Sequence, residues 1–528
     1  MGNKKRDFTE DILKNKRIKE IFSRILFGRL VLTFLILFIQ VAVLFVFMKW
    51  LEPYIGYYFG GSITLSFLFM IYLANSDGRN EFKLAWLLPL IIFPLFGVIA
   101  YTLYHIDMGG YKFKKRIAYL KKQTDEFLPE PSESAKIISA YPEIRDLAVY
   151  LLDTGHYAPH TNSSVRYFSC GEEFFPDFLA ELEKARKFIF IEYFIIKLDE
   201  SWLRTVRVLE KKAAEGVEIR VLFDAVGSVT AASANYVKYL NEHGINAQIF
   251  SPITALFSIH YNNRDHRKIV IIDGETAYTG GLNIANEYFN FGKNKFRYWK
   301  DTAVKVQGPA IQNFTCMFMH TWNLDQKKDD DYGKYIKLDY PKKESRSLLI
   351  PYGDNAFNNE DIAENIYSYM INTAKKYVHI TSPYLVIDNK LLSELIFAAK
   401  RGVDVSVIAP SMPDHLMTFC IGKTFLKQLV ENGVNVYLYK KECFIHAKNF
   451  IADGKTATIG SVNLDYRSLY HHFECGLLIH DDNVINKIEH DFQDTIGECT
   501  KMDINSYKML PWYIRTIGKL CRIFAPLV

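Results

Sequence analysis

A chain of 528 residues, 49% hydrophobic and 15% aromatic, carries enough apolar material for two to four packed units and is not built like a disordered protein. Its formal net charge of +5 is too small to mark a nucleic-acid binder on its own, and no nucleic-acid partner is expected. The seven cysteines are odd in number, scattered and free of any C-x-x-C pair, so zinc-site spacing is absent and reduced thiols in a core are implied.

The first element in chain order is LVLTFLILFIQVAVLFVFM, residues 30–48, nineteen residues without a charge. That is close to the ~20 residues needed to cross a bilayer, and too long for the apolar region of a signal peptide. A second apolar stretch runs over 54–73 and a third over 85–104, separated by NSDGRNEFK. Pro89 and Pro94 within the third predict a kinked or re-entrant segment instead of a straight span. The basic flanks before the first stretch (Lys4 to Arg29) and after the third (Lys112 to Lys122) both favour the cytoplasmic side. Two spans plus one re-entrant segment satisfy both flanks. This predicts a multi-pass anchor in the cell membrane, with the remaining domains on the cytoplasmic side. The expected organisation is an anchor at 1–110, a connector at 111–162, domains at 163–340 and 341–500, and a tail at 501–528.

The body of the chain repeats itself. KFIFI (187–191) and KYVHI (376–380) are short apolar runs that read as buried strands. EGVEIRVLFD (215–224) then matches RGVDVSVIAP (401–410), and GINAQIF (244–250) matches GVNVYLY (433–439). Each half alternates strand and helix, with Gly where helix turns into strand, which predicts an α/β layered domain present twice. The strongest match comes last. HRKIVIIDGETAYTGGLN, from His266 to Asn283, and HAKNFIADGKTATIGSVN, from His446 to Asn463, share the pattern H-x-K-x4-D-x6-G-[GS]-x-N.

That pattern has chemical content. His266 and Lys268 are two residues apart, so on a strand they face the same way, as do His446 and Lys448. An imidazole beside an ammonium suits a phosphate: the Lys offsets charge and the His is a nucleophile or a proton carrier. Asn283 offers amide donors, and the Gly280-Gly281 pair lets backbone N–H groups come close to an anion. Two such units suggest one shared site, one His attacking phosphorus while the other protonates the leaving oxygen, with a covalent phosphohistidine between.

The paired motifs resemble those of the phospholipase D superfamily, whose two halves share one active site. The resemblance implies two pseudo-symmetric α/β/α domains behind N-terminal transmembrane helices. It makes His266 the nucleophile and His446 the general acid and base, with Lys268, Lys448, Asn283 and Asn463 holding the phosphate. Ser461, where the first half has Gly281, is a further candidate phosphate contact. Asp273 and Asp453 complete the signature and would be structural, bonded within the motif region. The family places an acid after each motif; here these are Asp301 and Glu474, paired by resemblance across the halves, Glu474 to His266 and Asp301 to His446. Glu192 in FIFIEYFI is a third candidate supporting acid. No metal and no cofactor is implied.

Within the superfamily, AWLLPLIIFPLFGVIAY, FIFIEYFI, NNRDHRK and RYWKD resemble bacterial cardiolipin synthases. The implied reaction joins two phosphatidylglycerols into cardiolipin and glycerol, with membrane lipids as the partners. A hydrolytic phospholipase D or a phosphatidylserine-synthesising relative is the alternative. In the tail, Arg515, Lys519 and Arg522 fall on one helical face and Tyr513, Ile517, Leu520 and Phe524 on another, predicting an interfacial amphipathic helix in preference to a core-docked one.

Overall fold

The computed structural model of the chain describes residues 42, 46, 55–105, 108–250, 263–326, 329–336, 340, 342–358 and 360–527. The first apolar stretch, 30–48, lies outside these apart from two positions. The chain divides into two compact units, Met1–Ile106 and Asp107–Val528.

In the first unit, helix Ile55–Asn75 is followed by helices Asn80–Ile92 and Pro94–His105. Pro94 cannot continue the preceding helix, and the break falls at Phe93, whose φ is −133° and ψ 74°. Gly97 then lies against the backbone of Leu90; a Cβ there would sit 2.8 Å from the Leu90 Cα. The packed centre is Leu73, Leu90 and Tyr101, bordered by Phe69, Trp86, Leu87 and Val98. Among the described residues, no helix is long and apolar enough to cross a membrane.

The second unit holds two sheets built on one plan. In the first half the strands are β1 (Ser164–Phe168), β2 (Phe188–Tyr193), β3 (Glu218–Asp224), β4 (Ile245–Phe250), β5 (Lys268–Ile272), β6 (Thr276–Gly280), β7 (Tyr298–Lys300) and β8 (Ala303–Gln307). In the second half they are β9 (Leu348–Asp354), β10 (Tyr377–Thr381), β11 (Leu385–Val386), β12 (Asp404–Ala409), β13 (Asn435–Leu438), β14 (Cys443–Ile445), β15 (Asn449–Ala452), β16 (Thr456–Gly460), β17 (Leu464–Asp465), β18 (Glu474–His480) and β19 (Thr500–Lys501). One sheet runs β1-β8-β6-β5-β2-β3-β4, and the other, from its opposite edge, β9-β18-β16-β15-β10-β12-β13-β19. Strand for strand the orders agree, with β19 added. β2-β3-β4 and β10-β12-β13 are parallel and the rest antiparallel.

Helices between the parallel strands cover the sheets with one apolar face. In Glu200–Ala214 the buried side is Trp202, Val206 and Leu209, and in Asn389–Lys400 it is Leu391, Leu392 and Leu395. Each of these helices ends in a glycine at positive φ, Gly216 at 88° and Gly402 at 92°, a turn that side chains disfavour.

Residues 108–162 are packed into this unit. In helix Met108–Thr124, Arg116 pairs with Asp329 and donates 2.8 Å to Asn323 O. His160 bridges to Leu349. In the tail, helix Trp512–Cys521 lies on helix Leu416–Glu431, with Ile514 and Gly518 buried. Gly518 is required there, since a Cβ would stand 2.3 Å from Cys420 O. The expected basic face is corrected in one member. Arg522 turns inward, donating 2.7 Å to Gln428 with its guanidinium 4.1 Å over the Phe425 ring. The tail exposes large apolar side chains, Met509 at 78%, Trp512 at 71% and Leu520 at 69%, alongside Lys508 and Lys519.

Candidate active site

The two H-x-K segments enter the core at β5 and just before β15, where one residue in two faces the other half. Between His266 and Lys268, Arg267 points the opposite way, toward Glu192 and Asp265 at 3.2 and 3.3 Å. After each motif strand the chain turns at Asp273-Gly274 and Asp453-Gly454, all four at positive φ.

Both turn aspartates are backbone caps. Asp273 accepts from the N–H groups of Arg186, Lys187 and Phe188 at 2.7 to 2.9 Å, and Asp453 from those of Lys375, Lys376 and Tyr377 over the same range. Their bonds thus leave the motif region and tie the motif hairpin to the start of β2 or β10, a correction to the local bonding expected. Neither aspartate lines the cavity.

The halves are laced together where the site forms. β14 pairs in parallel with β7, so the segment before His446 lies beside the segment before Asp301. Asp265 bridges to Phe473 in the same sense. His446 N–H donates to Lys300 O at 2.7 Å and His266 N–H to Phe473 O at 2.9 Å. This lacing sets each histidine against the acid of the other half. His266 Nδ1 lies 2.9 and 3.1 Å from the two Glu474 oxygens, and His446 Nδ1 lies 2.6 Å from Asp301 Oδ2. A carboxylate on Nδ1 fixes the tautomer, which leaves Nε2 of His266 free for chemistry. The lysines curl back along the strands. Lys268 donates to His266 O, and Lys448 to His446 O, with Lys448 Nζ 2.8 and 3.2 Å from the His446 ring nitrogens.

Burial sets the charge states. It pushes His266 down to about 3 and, with Lys448 and Lys268 alongside, holds His446 well below the usual imidazole range. It lowers Lys268 to about 8 and Lys448 to about 7. The two acids part company. Burial raises Asp301 to about 7, whereas the Glu474 carboxyl, despite burial, is held well below the carboxylate range by His266. One pair is therefore an anionic carboxylate holding a neutral imidazole. The other keeps a proton near neutrality.

These groups open on a cavity of about 910 Å³ with walls from both halves. His266, His446, Asn283 and Asn463 line it, with Phe194, Tyr288, Trp299, Tyr384 and His472. Arg467 and Lys293 add positive charge. Asn283 is held on both sides, its carbonyl accepting from Ile195 N–H at 3.1 Å and its amide donating to Tyr288 at 2.7 Å. Asn463 Oδ1 has no hydrogen-bond partner among the described residues.

Three expected contacts are corrected. Ser461 does not face the cavity; its hydroxyl donates to Glu474 and to Cys475 O, so it positions the acid and not a phosphate. Gly281 fills the equivalent place with nothing because the Asp301 carboxylate occupies it; a Cβ there would lie 2.1 Å from Asp301 Oδ1. Its N–H donates to Thr302 O at 3.0 Å and is not offered to an anion. Glu192 is fully buried beneath the motif strand beside Arg267 and touches neither histidine. Among the described residues, His266, His472 and Glu474 bring metal-ligand atoms within 4.8 Å of one another, although Glu474 is already engaged by His266 and Ser461. His472 and Trp299 are cavity residues that motif spacing alone passes over. Their signal was their place two residues ahead of each acid.

Comparison with known proteins gives the family and the fold. The family model described as cardiolipin synthase, PLD-like domain, matches residues 178–322 and 367–496, and the phospholipase D-nuclease N-terminal model matches 63–103. An uncharacterized protein of Streptococcus mutans is 36% identical over 87% of this chain and 99% of its own. A cardiolipin synthase of Geobacillus kaustophilus is 32% identical over 88% of this chain and 93% of its own. In fold, the chain is similar to the crystal structure of phosphatidylserine synthase from Haemophilus influenzae, with a TM-score of 0.54 at 16% identity, over 69% of this chain and 93% of that one. With both motifs intact in one shared site, the chain belongs to the cardiolipin synthase family of phosphatidyltransferases with phospholipase D-like domains.

Proposed function

We propose that this protein transfers a phosphatidyl group from one phosphatidylglycerol to a second, giving cardiolipin and glycerol through a phosphohistidine on His266. The observation that carries the reading is the pair of histidines in one cavity, each on the acid of the other half, in opposite charge environments. Groups whose surroundings push their protons apart divide into base and acid. The neutral His266, its Nδ1 on anionic Glu474, attacks phosphorus through Nε2 as the P–O bond to glycerol breaks. The proton retained on the His446–Asp301 pair passes to the departing glycerol oxygen. In the second half-reaction the same pair takes the proton of the incoming phosphatidylglycerol hydroxyl, and the P–Nε2 bond breaks. Lys268 and Lys448 meet the phosphate charge. One phosphodiester replaces another, so no nucleotide is consumed. Purified full-length protein given phosphatidylglycerol alone, in excess EDTA, is expected to yield cardiolipin and glycerol in equal amounts. Phosphatidic acid as the sole lipid product would make it a hydrolase instead.

The pH dependence follows from the same groups. The competent free enzyme has protonated lysines and a proton on the His446–Asp301 pair. These are lost as pH rises through about 7, for Lys448 and Asp301, to about 8, for Lys268. kcat/KM should therefore fall above neutrality. Bound phosphate favours the ammonium form, so the limb in kcat should lie at higher pH. Because His266 protonates only near 3, no acidic limb is expected between pH 5 and neutrality. An acidic limb at the free imidazole value would contradict the assignment.

The same reading places the enzyme at the membrane, where its lipid substrate is. The helices Asn80–Ile92 and Pro94–His105, broken at Phe93, are about 20 and 18 Å long at 1.5 Å per residue, short of a ~30 Å hydrocarbon core. That supports a re-entrant hairpin, with exposed Ile91, Ile92, Phe93 and Phe96 facing lipid. The 30–48 stretch would span the bilayer. The outward Trp512 and Leu520 of the tail add an interfacial contact. Changing both to Ser in the compact unit Asp107–Val528, which lacks the apolar stretches, should weaken its binding to anionic vesicles at least about 10-fold, since each large apolar side chain is worth roughly 1.5–3 kcal/mol when buried. Unchanged vesicle partitioning would limit the tail to packing.

A further inference from the structure

His472 is a buried imidazole of the cavity wall with no part in the transfer steps above. It stands two residues before Glu474, as Trp299 stands two residues before Asp301. The backbone makes the two places equivalent, because the intervening carbonyls, Phe473 O and Lys300 O, accept from His266 N–H and His446 N–H. The His472 ring is 5.5 Å from that of His266, and the Trp299 ring 5.4 Å from that of His446. His472 is 8% exposed, and neither of its ring nitrogens has a hydrogen-bond partner among the described residues. Its Nδ1 is 3.8 Å from Glu474 Oε1, beyond hydrogen-bond reach.

An imidazole keeps at least one N–H donor in either tautomer, and a buried donor without a partner is costly. Such a group on the wall of a site is satisfied when the site fills. The space beside His266 is filled by whatever His266 attacks. With Nδ1 held by Glu474, phosphorus bonds to Nε2, and its non-bridging oxygens spread into the volume that His472 borders. We infer that His472 is a third catalytic histidine, donating a hydrogen bond to a non-bridging oxygen of the phosphatidyl group while that group is formed and carried on His266. Its proton is not transferred; the bonds made and broken are those between phosphorus, His266 and the two alcohols. The asymmetry with Trp299 fits the division of labour. The His266 side holds one phosphoryl group through both half-reactions, whereas the His446 side exchanges one alcohol for another.

The inference rests on the phosphohistidine reading, so its test includes that reading as a separate measurement. Full-length protein in micelles of phosphatidylglycerol and non-ionic detergent is assayed for cardiolipin, and His266 is examined for a covalent adduct after alkaline denaturing quench. His472→Phe keeps the ring beside Phe194 and removes the donor. It should lower kcat about 10- to 100-fold with KM within about threefold, the effect of losing a hydrogen bond to a charged oxygen. His472→Asn keeps an N–H donor near the Nδ1 position and should recover most of that loss. If Phe is not accommodated, judged by loss of cooperative unfolding, His472→Ala replaces it with the same expected split. A Phe variant within about twofold of wild type, or an Asn variant that falls as far as Phe while folded, would overturn the inference and leave a packing role. A wild-type enzyme that makes cardiolipin without a His266 adduct would instead overturn the phosphohistidine reading beneath it.

Discussion

His266→Ala is expected to lower cardiolipin formation by at least about 10⁴-fold, because the covalent carrier is removed. His446→Ala should cost about 10²–10⁴-fold, the usual worth of a general acid and base. The two differ in kind as well as degree. A donor whose leaving group needs no proton, such as phosphatidyl-p-nitrophenol, should restore the first half-reaction to His446→Ala and do nothing for His266→Ala. Release of p-nitrophenol in the first minutes checks this. Equal rescue of both variants would mean that the roles are not divided as the charge environments suggest.

Exchanging the acids for amides is the second large effect. Glu474→Gln puts an N–H or a neutral oxygen opposite His266 Nδ1, so the imidazole is no longer held with its proton on Nδ1 and Nε2 free. A loss of about 10²–10⁴-fold in kcat is expected, close to that of losing general acid–base catalysis. Asp301→Asn should cost a similar factor, but through His446. The p-nitrophenyl donor therefore separates them as well: burst formation survives Asp301→Asn and is lost in Glu474→Gln. Because the acids act across the halves, the burst should follow the acid of the second half and not the acid nearest in sequence to His266. If Asp301→Asn removes the burst instead, the crossed pairing has no functional consequence.

Much of this is legible in the sequence. The two H-x-K-x4-D motifs declare themselves by identical spacing, and the short apolar runs around 187–191 and 376–380 become β2 and β10, their shortness favouring a buried strand over a helix. Pro94 announced the broken helix, with the break at Phe93 just before it, whereas Pro89 is carried inside the helix Asn80–Ile92. What stayed hidden depends on where a side chain ends. Ser461 looked like a phosphate contact by its place between motif glycine and asparagine, yet its hydroxyl is spent on Glu474, a neighbour defined only once β16 and β18 pair. Glu192 is an acid within an apolar run, but it answers Arg267, the residue of the motif that faces away. Arg522 joined a basic face on the helical wheel and was drawn out of it by Phe425 and Gln428. His472 carried a readable signal, its offset from Glu474, but its significance needed the lacing of Phe473 onto His266.

A phosphatidyl group carried on His266 can be caught directly in one measurement. Full-length His446→Ala protein, given phosphatidyl-p-nitrophenol and no acceptor lipid, should accumulate the intermediate because the base for the second half-reaction is missing. Alkaline denaturation followed by peptide mass spectrometry should then find the phosphatidyl adduct on the peptide containing His266. An adduct absent from that peptide while p-nitrophenol is released, or one found on another side chain, would contradict His266 as the carrier.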